Sequence, residues 1–367
     1  MKIVQIGNHF FPCTGGIEKI MLDLCNQLNK KNIQSDVICL NTCANSSKKL
    51  EFEEKINRIN VKRLDYLDLR LYKIAPEVLN QVKEFDVVHV HGLGFFADFL
   101  SATKFLHKKK LILSTHGGLW HTKNFSALKK LYWQFEKSLF LHNIDFVVAV
   151  SKQDFEKFSQ IVPKEKLVLI ENGVMIEDFL DNKPDLKSKN FIYWGRISKN
   201  KRIDLLLETF AQVLKKEKNS KLFIIGEDWE GIVSNLKQKA KSLGIEKSVE
   251  FTGMLAEKER KKLINNSGFF VSASEYEGFG ITTYEAMAAG LIPIVNDIEA
   301  FQGVKGKGFI VDFKQKDSAS SEICAIINKN SAELNRLSNN AREYSKQFSW
   351  EKKIEEFIKI YEQAVKA

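Results

Sequence analysis

The segment EYEGFGITTYE, residues 275–285, combines two carboxylates with a glycine-rich turn. Glu277 and Glu285 are eight positions apart, and Gly278, Phe279 and Gly280 lie between them, just before a predicted helix. A carboxylate can accept two hydroxyl hydrogen bonds, which suits a sugar diol, and the glycines leave backbone N–H groups free for phosphate oxygens. The pattern favours a ligand that joins a sugar, a diphosphate and a nucleoside. A glycosidase pair is the weaker interpretation, because it needs two carboxyls facing one bond and no cationic loop.

The segment YWGRISKNKRID, residues 193–204, supplies such a cationic loop. Arg196 and Lys201 are five positions apart, after an apolar run that ends at Gly195 and before a predicted helix. Arginine binds phosphate through two parallel N–H groups, and lysine adds a point charge. The spacing predicts a diphosphate cradle, with solvated surface charge as the alternative.

Two loops in the first half of the chain carry further candidates. Gly15 and Gly16 precede a predicted helix whose N–H groups could face an anion, although the loop matches neither the dinucleotide nor the Walker phosphate motif. His116 follows an apolar run and could donate a hydrogen bond to a sugar hydroxyl or bear charge near pH 7. A tight turn and a satisfied core histidine are the respective alternatives.

Short apolar runs alternate with helical stretches along the whole chain and must position these loops. The runs are 2–7, 35–40, 85–92, 110–118, 144–151, 166–174, 190–195, 221–226, 249–253, 268–274, 291–296 and 308–313. Such alternation predicts parallel sheets covered by helices, with ligands at the carboxyl ends of the strands. We therefore expect an α/β protein with two Rossmann-like, doubly wound domains facing a cleft.

The predicted boundaries follow a break in this alternation. Residues 1–175 form the first domain, the polar stretch 176–190 reads as a linker, and residues 191–345 form the second domain. The tail is helical, and we expect residues 346–367 to pack back toward the first domain.

Composition is that of a water-soluble globular protein, with 44% hydrophobic and 28% charged residues and a net charge of +10. No apolar run approaches the ~20 residues that span a bilayer, and the start shows no signal segment, so we expect a cytoplasmic protein. The five cysteines complete no zinc pattern and are expected to be reduced thiols. Residues 1–175 carry 25 Lys and Arg against 18 Asp and Glu, which favours anionic partners there.

Taken together and in this order, the motifs resemble those of the retaining GT-B glycosyltransferases of family 4. EGFGITTYE matches the family's Glu-x7-Glu motif and GRISKNK its Gly-Arg-x4-Lys segment. TGG and STHGG resemble its N-terminal loops, and ENGV (171–174) its interdomain segment. The resemblance covers nearly the whole chain and implies a GT-B fold.

The resemblance also implies roles for single residues. Glu277 would contact the donor sugar, Glu285 the ribose, and Arg196 and Lys201 the diphosphate, while His116 would lie near the transferred sugar. The remaining nucleotide-sugar contacts implied are Gly15, Gly16, Thr252, Met254, Gly278, Phe279, Gly280 and Ile281. The catalytic set is His116, Arg196, Lys201 and Glu277, with no metal and no cofactor beyond the donor substrate. The chain departs from the family at NDIEAFQGVKGKG (296–308), where relatives often have Gly-Gly followed by Glu. This change could reshape the wall of the site near the base or the acceptor.

The implied reaction moves a hexose from a nucleotide diphosphate sugar to a glycan or polyprenyl-diphosphate-linked saccharide in cell-surface polysaccharide biosynthesis. STHGGLWHT followed by LKKLYW is similar to bacterial exopolysaccharide mannosyltransferases, which favours GDP-mannose as the donor. A UDP-hexose transferase is the next alternative, followed by a sugar-nucleotide epimerase of the same fold. An inactive nucleotide-sugar-binding protein is disfavoured by the intact Arg, Lys and Glu residues.

The basic first half also raises the question of a polyanionic partner. Segment 121–142 mixes Lys with Leu, Tyr, Trp and Phe at near-helical spacing, which suits an interfacial helix on the inner face of an anionic membrane, or an ordinary amphipathic core helix. A nucleic-acid-binding protein is disfavoured, because the basic residues are dispersed and no nucleic-acid module occurs.

Overall fold

The structure is a computed structural model of the 367-residue chain and describes residues 1–44, 46, 48–69, 72–117 and 141–366. The chain divides into two compact units. Met1–Gly173 and Trp350–Ala367 form the first unit, and Val174–Ser349 form the second. The first unit therefore contains both ends of the sequence. The predicted boundary at 175 falls two residues after this division.

The first unit contains ten strands and five helices within its described residues up to Gly173. The strands are β1 (Lys2–Ile6), β2 (Gln34–Leu40), β3 (Glu53–Ile56), β4 (Ile59–Leu64), β5 (Leu67–Asp68), β6 (Lys73–Ile74), β7 (Val87–His91), β8 (Lys110–Ser114), β9 (Phe146–Ala149) and β10 (Leu167–Leu169). The helices are α1 (Gly16–Lys30), α2 (Val78–Gln81), α3 (Phe95–Ala102), α4 (Lys104–His107) and α5 (Lys152–Phe158).

The main sheet of this unit has the strand order β10-β9-β8-β7-β1-β2-β4-β3. Every pairing in it is parallel except β3 with β4. Its central strands are buried along nearly their whole length, as continuous apolar runs require. Helix α1 buries Ile20, Met21 and Leu24 on one face, the spacing that places side chains on a single stripe of a helix.

The second unit is a smaller parallel sheet with helices along its connections. Its strands are β11 (Phe191–Trp194), β12 (Leu222–Ile225), β13 (Val249–Gly253), β14 (Phe269–Ser272), β15 (Ile292–Asn296) and β16 (Phe309–Val311). Its helices are α6 (Ile203–Lys216), α7 (Val233–Ser242), α8 (Glu257–Asn265), α9 (Ile281–Ala289), α10 (Lys316–Ile327) and α11 (Ser331–Ser345). The strand order is β13-β12-β11-β14-β15-β16, and all of these pairings are parallel.

The last helix, α12 (Trp350–Lys366), belongs to the first unit and packs against α1. Trp350 is buried, and its indole Nε1 donates to Asp23 Oδ2 of α1 at 3.3 Å. Lys31 and Glu355 form an exposed ion pair at 2.6 Å. The helical tail predicted from the sequence is thus two helices, α11 and α12, separated by a 3-10 turn (Lys346–Phe348) and Ser349.

Residues 176–190, predicted as a linker, are packed on the second unit. A 3-10 turn covers Ile176–Phe179, and both of its end residues are buried in the core of that unit. Farther along, Ser188 Oγ donates to the carbonyl of Asn266 at 3.0 Å. The structure differs from the prediction because the buried side chains of Ile176 and Phe179 hold this otherwise polar stretch on the second unit.

Each sheet has one topological switch point, where strand order reverses. In the first unit β1 pairs with β2 on one side and β7 on the other, and in the second unit β11 lies between β12 and β14. Ligands of open α/β sheets bind outside the carboxyl ends of strands at such points. The candidate loops lie there: residues 7–16 follow β1, residues 195–202 follow β11, and residues 273–280 follow β14.

Candidate active site

In the second unit, the loops after β11 and β14 bring two of the predicted residues together. Lys201 Nζ lies 2.7 Å from Glu277 Oε1, and the two side chains are only 14% and 15% exposed. Ser274 Oγ donates to the same carboxylate oxygen at 2.8 Å. No described residue bonds to Glu277 Oε2, so this oxygen is available to accept from a ligand hydroxyl.

Backbone contacts between the two loops hold this pair in place. The N–H of Glu275 donates to the carbonyl of Asn200 at 2.9 Å, and the Asn200 side chain donates to the carbonyl of Tyr276 at 3.3 Å. Arg202 adds a further link, since its guanidinium pairs with Asp204 at 2.9 Å and with Glu275 at 3.4 Å. Arg202 therefore serves the loop structure, while Lys201 faces the carboxylate.

Arg196, the other predicted cation, is exposed and has a different environment. Its guanidinium lies 4.7 Å from the centre of the Trp229 ring, a cation–π distance, and its carbonyl accepts from Tyr193 Oη at 3.0 Å. Burial, followed by the negative charge of Glu277, raises the pKa of Tyr193 well above its usual value, so the phenol stays protonated. Trp229 carries no local sequence signal, because its loop follows β12 and meets Arg196 only across neighbouring strands.

The glycine turn and Glu285 lie at the start of α9. Gly280 has φ +84°, and a Cβ there would lie 2.6 Å from the Phe301 ring, so both backbone conformation and close packing require glycine. Glu285 is buried and accepts a hydrogen bond from Trp194 Nε1 at 2.9 Å. The indole of a neighbouring strand thus orients the carboxylate predicted to bind ribose.

Three of the predicted contacts have side chains engaged elsewhere. Phe279 is buried and stacks on Tyr284 at 4.7 Å, so only its backbone can face a ligand. Ile281 is partly buried against the same core. Thr252 donates to the carbonyl of Gly253 at 2.9 Å. Met254, by contrast, is 69% exposed at the end of β13, where a base could pack against it.

In the first unit, Gly15 and Gly16 lie at the N-terminus of α1. A Cβ on Gly15 would lie 1.9 Å from Glu18 Oε2, whereas a Cβ on Gly16 would meet no atom within 4 Å. The carboxylate of Glu18 therefore folds back over the first turn, where its charge is favourable to the helix dipole and opposes a second anion. The space beside Gly16 is open, and the local charge is less favourable to phosphate than the sequence predicted.

The loop after β1 is tied to the loop after β2 by a disulfide between Cys13 and Cys43. The prediction of reduced thiols is wrong for this pair. The two cysteines are separated by 30 residues, but β1 and β2 are adjacent strands, so the loops at their carboxyl ends meet. Cys25, Cys39 and Cys324 are free and buried.

His116 is held in an unusual backbone conformation just beyond β8. Its φ of +46° is rare for a residue with a side chain and indicates local backbone strain. Asp154, buried at the start of α5, accepts from the hydroxyl of Thr115 and from the N–H of Gly117 at 2.8 Å. One carboxylate oxygen thus clamps the residues on both sides of His116. Asp154 lies 38 positions later in the chain, and no sequence motif connects it to His116.

His116 as a residue is only partly exposed, and its imidazole contacts a second histidine, since Nε2 lies 2.9 Å from His91 Nδ1. Burial lowers the pKa of His116 to about 4, so the ring is neutral at physiological pH. A neutral imidazole can hydrogen-bond a sugar without adding charge. The described residues contain no cluster of three or more His, Cys, Asp or Glu suited to a metal ion.

Comparisons with known proteins agree with these observations. The model for "Glycosyl transferases group 1" matches residues 175–346, and that for "Glycosyltransferase Family 4" matches residues 14–178. A GDP-mannose:cellobiosyl-diphosphopolyprenol alpha-mannosyltransferase of Xanthomonas campestris is 30% identical over 100% of this chain and 97% of its own length. The protein of the same name from Komagataeibacter xylinus is 29% identical over 100% of this chain and 94% of its own.

A solved structure shows the same fold. A glycosyltransferase from Rickettsia africae ESF-5 superposes with a TM-score of 0.77 at 18% identity, covering 100% of this chain and 98% of that one. The two units therefore form a GT-B fold. The chain belongs to glycosyltransferase family 4. The family, the fold class and the glycosyltransferase activity predicted from the sequence are confirmed.

Within the described residues, no helix combines the length and the apolar character needed to cross a bilayer.

Proposed function

We propose that this glycosyltransferase moves mannose from GDP-mannose to a saccharide carried on polyprenyl diphosphate, with retention of the α configuration and without a resident metal. The Lys201–Glu277 pair at the switch point of the second sheet carries the proposal. It sets a cation for a diphosphate beside a carboxylate for a sugar, as a nucleotide sugar requires. The choice of mannose and of the lipid carrier rests on the names of full-length relatives about 30% identical.

The chemistry follows from where charge develops. As the bond between the sugar's C1 and the diphosphate oxygen breaks, the sugar becomes oxocarbenium-like and the leaving oxygen gains negative charge. Lys201, Arg196 and the N–H groups at the start of α9 stabilise that charge, an effect worth about 3 kcal/mol, roughly a hundredfold in rate, for one such contact. The acceptor oxygen bonds to C1 on the face that the diphosphate leaves, which retains the configuration, and the proton of the acceptor hydroxyl passes to the leaving diphosphate oxygen. No side chain is assigned as a covalent nucleophile.

Calorimetric titration with GDP and with UDP tests the donor. We expect GDP to bind at least tenfold more tightly than UDP, with the same ranking for GDP-mannose against UDP-glucose in transfer assays. Tighter binding of UDP than of GDP would refute GDP-mannose as the donor and would favour a UDP-hexose. Incubation with donor alone separates a transferase from an epimerase, since only an epimerase would convert the sugar without an acceptor.

The stereochemistry and the metal requirement are tested on the product. Proton NMR of the new linkage should show the α anomer from an α-linked donor, and exhaustive treatment with EDTA should leave kcat unchanged. A β product would exclude the retaining mechanism. Activity that is lost with EDTA and restored by a divalent cation would overturn the metal-independent proposal.

We also propose a peripheral contact with the inner face of an anionic membrane, where a lipid-linked acceptor would be presented. The charge excess of residues 1–175 supports it. Segment 121–142, predicted to make the contact, lies outside the described residues up to position 140. At low salt we expect cosedimentation with acidic vesicles and not with neutral ones; equal sedimentation would refute the contact.

A cytoplasmic location is part of the same proposal. The Cys13–Cys43 disulfide counts against it, because disulfides are rare in reducing compartments, and labelling of the two cysteines decides between them. Alkylation of intact cells before lysis should label both thiols if the protein is held in a reducing cytoplasm. Protection of both thiols would favour an oxidising compartment instead.

A further inference from the structure

A network of buried polar side chains runs through the first unit and ends at His116. Its members lie on β1, β2, β7, β8 and α12, and every one except His116 is buried. They are Gln5, Ser35, His89, His91, Ser114 and Tyr361. Buried polar groups of this kind must satisfy one another, so the position of each hydrogen follows from its neighbours.

The amide of Gln5 sets the direction of the chain of hydrogen bonds. Its Nε2 donates to Ser35 Oγ at 3.2 Å and to Tyr361 Oη at 3.4 Å. Ser35 in turn donates to Cys25 Sγ at 3.4 Å, so its oxygen is free to accept from the amide. The other end of the amide, Oε1, lies 2.8 Å from His91 Nε2. A carbonyl oxygen can only accept, so His91 Nε2 must carry a hydrogen.

His91 passes this constraint to His116. Burial, with repulsion from the neighbouring histidines, lowers the pKa of His91 well below its usual value, so the ring is neutral and carries a single N–H. Because that hydrogen is on Nε2, Nδ1 is a bare acceptor. His116 Nε2, 2.9 Å away, must therefore be the donor. The ring centroids are 5.2 Å apart, as expected for an edge-to-edge hydrogen bond.

The branch through Tyr361 agrees with this direction. Burial raises the pKa of the Tyr361 phenol, which keeps its single hydrogen. Since Tyr361 accepts from Gln5, that hydrogen points to His89 Nδ1 at 2.8 Å, and His89 Nε2 then donates to Ser114 Oγ at 2.8 Å. Helix α12 thereby supplies one hydrogen-bonding group to a network that begins on β1.

We propose that His91, oriented by Gln5, is a positioning residue that fixes His116 as the Nε2–H tautomer, so that Nδ1 accepts a hydrogen bond from a hydroxyl of the transferred sugar. Nε2 is already used by His91, and no described residue bonds to Nδ1. His116 therefore contacts the sugar as an acceptor, not as a donor. The identity of the ligand rests on the proposed function; the tautomer does not.

Two-bond proton–nitrogen NMR correlation on the full chain, labelled with nitrogen-15 in histidine, tests the tautomer without substrate. The His116 signal, assigned by its loss in His116→Ala, should show a protonated Nε2 and a bare Nδ1 at pH 7.5. A protonated Nδ1, or an average of the two forms, would overturn the proposal whatever the donor sugar proves to be.

A matched pair of variants tests the role of His91. His91→Asn can place an amide oxygen near the former Nδ1, so the His116 tautomer should persist; His91→Leu removes the acceptor, so the signal should move toward a mixture. We expect His91→Leu to lose about tenfold in kcat/KM for transfer, one hydrogen bond's worth, with GDP affinity unchanged. His107→Gln, another buried histidine replacement in the same unit, controls for nonspecific destabilisation.

Deoxy donors complete the test. One monodeoxy sugar should be transferred equally by wild type and His91→Leu, because the hydroxyl that His116 accepts from is missing. A tautomer that is unchanged in His91→Leu, or a loss of activity that is the same for every deoxy donor, would show that His91 is merely structural. A donor other than GDP-mannose would refute the proposed function and leave the NMR result standing.

Discussion

Lys201 and Glu277 form a mostly buried ion pair, so changing one leaves the charge of the other unpaired. Their proposed roles are nevertheless separable, because we propose that the lysine contacts the diphosphate and the carboxylate contacts the sugar. Binding of the nucleotide alone should therefore report on the lysine and hardly on the glutamate.

We expect Lys201→Met to lower kcat about a hundredfold and to weaken GDP binding, since a charged contact with the leaving diphosphate is removed. Glu277→Gln should also impair transfer, with GDP affinity within about threefold of wild type. Transfer kinetics and calorimetry with GDP measure the two effects. Lys237→Met, an exposed lysine on α7, is the matched control. Wild-type turnover and GDP affinity in Lys201→Met would remove the basis of the assignment.

At the scale of elements, the turn that follows β8, residues 115–117, is held in place by the start of α5. Asp154 Oδ2 accepts from Thr115 and Gly117, and the Asp154 N–H is capped by Ser151 Oγ at 3.2 Å. A helix start thus fixes the strained backbone of His116. The strain persists because Thr115 and Gly117, one on each side of His116, are both held by Asp154.

Removing that clamp should release the strained turn. Asp154→Ala is expected to lower kcat/KM for transfer by about 10- to 100-fold, the worth of one or two charged hydrogen bonds, with little effect on GDP affinity. Thr115→Ser, which keeps the hydroxyl, is the control and should stay close to wild type. Equal losses in GDP affinity and in transfer would instead indicate general unfolding.

The disulfide joins two loops that follow neighbouring strands, and its loop entropy gives a stability prediction. Closing a loop of about 30 residues contributes about 3–4 kcal/mol in the chain-entropy model. Adding a reductant should therefore lower the Tm of the wild type. The Cys13→Ser/Cys43→Ser double variant should start at the lower Tm and should not respond to reductant. A response of the same size in both proteins would contradict the prediction.

The sequence predicted the elements that carry local signals and missed the contacts that depend on tertiary neighbours. The apolar runs correspond to β1, β2 and β7–β16, because buried parallel strands are apolar along their length. Strands β3 and β4 were missed, since the segment EFEEKINRINVKRL alternates charged and apolar residues at the edge of a sheet. Lys201 and Glu277 were predicted because each motif is local, whereas no local pattern relates His89 to Tyr361, 272 positions apart.

For the whole molecule, the buried histidines link stability to pH. Burial lowers the pKa of His89 to about 3, that of His116 to about 4 and that of His91 well below 6.5, and the pKa values of His9 and His107 shift in the same direction. The folded chain keeps these rings neutral, whereas the unfolded chain protonates them below about pH 6.5. Unfolding in that range therefore takes up protons. The stability is fully present above pH 6.5 and is lost as the pH falls toward the folded-state values.

We expect the free energy of unfolding of the wild type to fall steeply between pH 6.5 and pH 5, by about 1.4 kcal/mol per pH unit for each fully buried histidine. Most carboxyl groups titrate below this range, so they add little to the slope. Urea unfolding at several pH values, with calorimetry to count the protons taken up, measures it. His91→Asn should reduce the uptake by about one proton, even if its stability is lower at every pH, whereas Lys237→Met should leave the slope unchanged. A flat profile across this range would show that the buried histidines are protonated in the folded state. His91 would then not be neutral, and the argument that it orients His116 would fail.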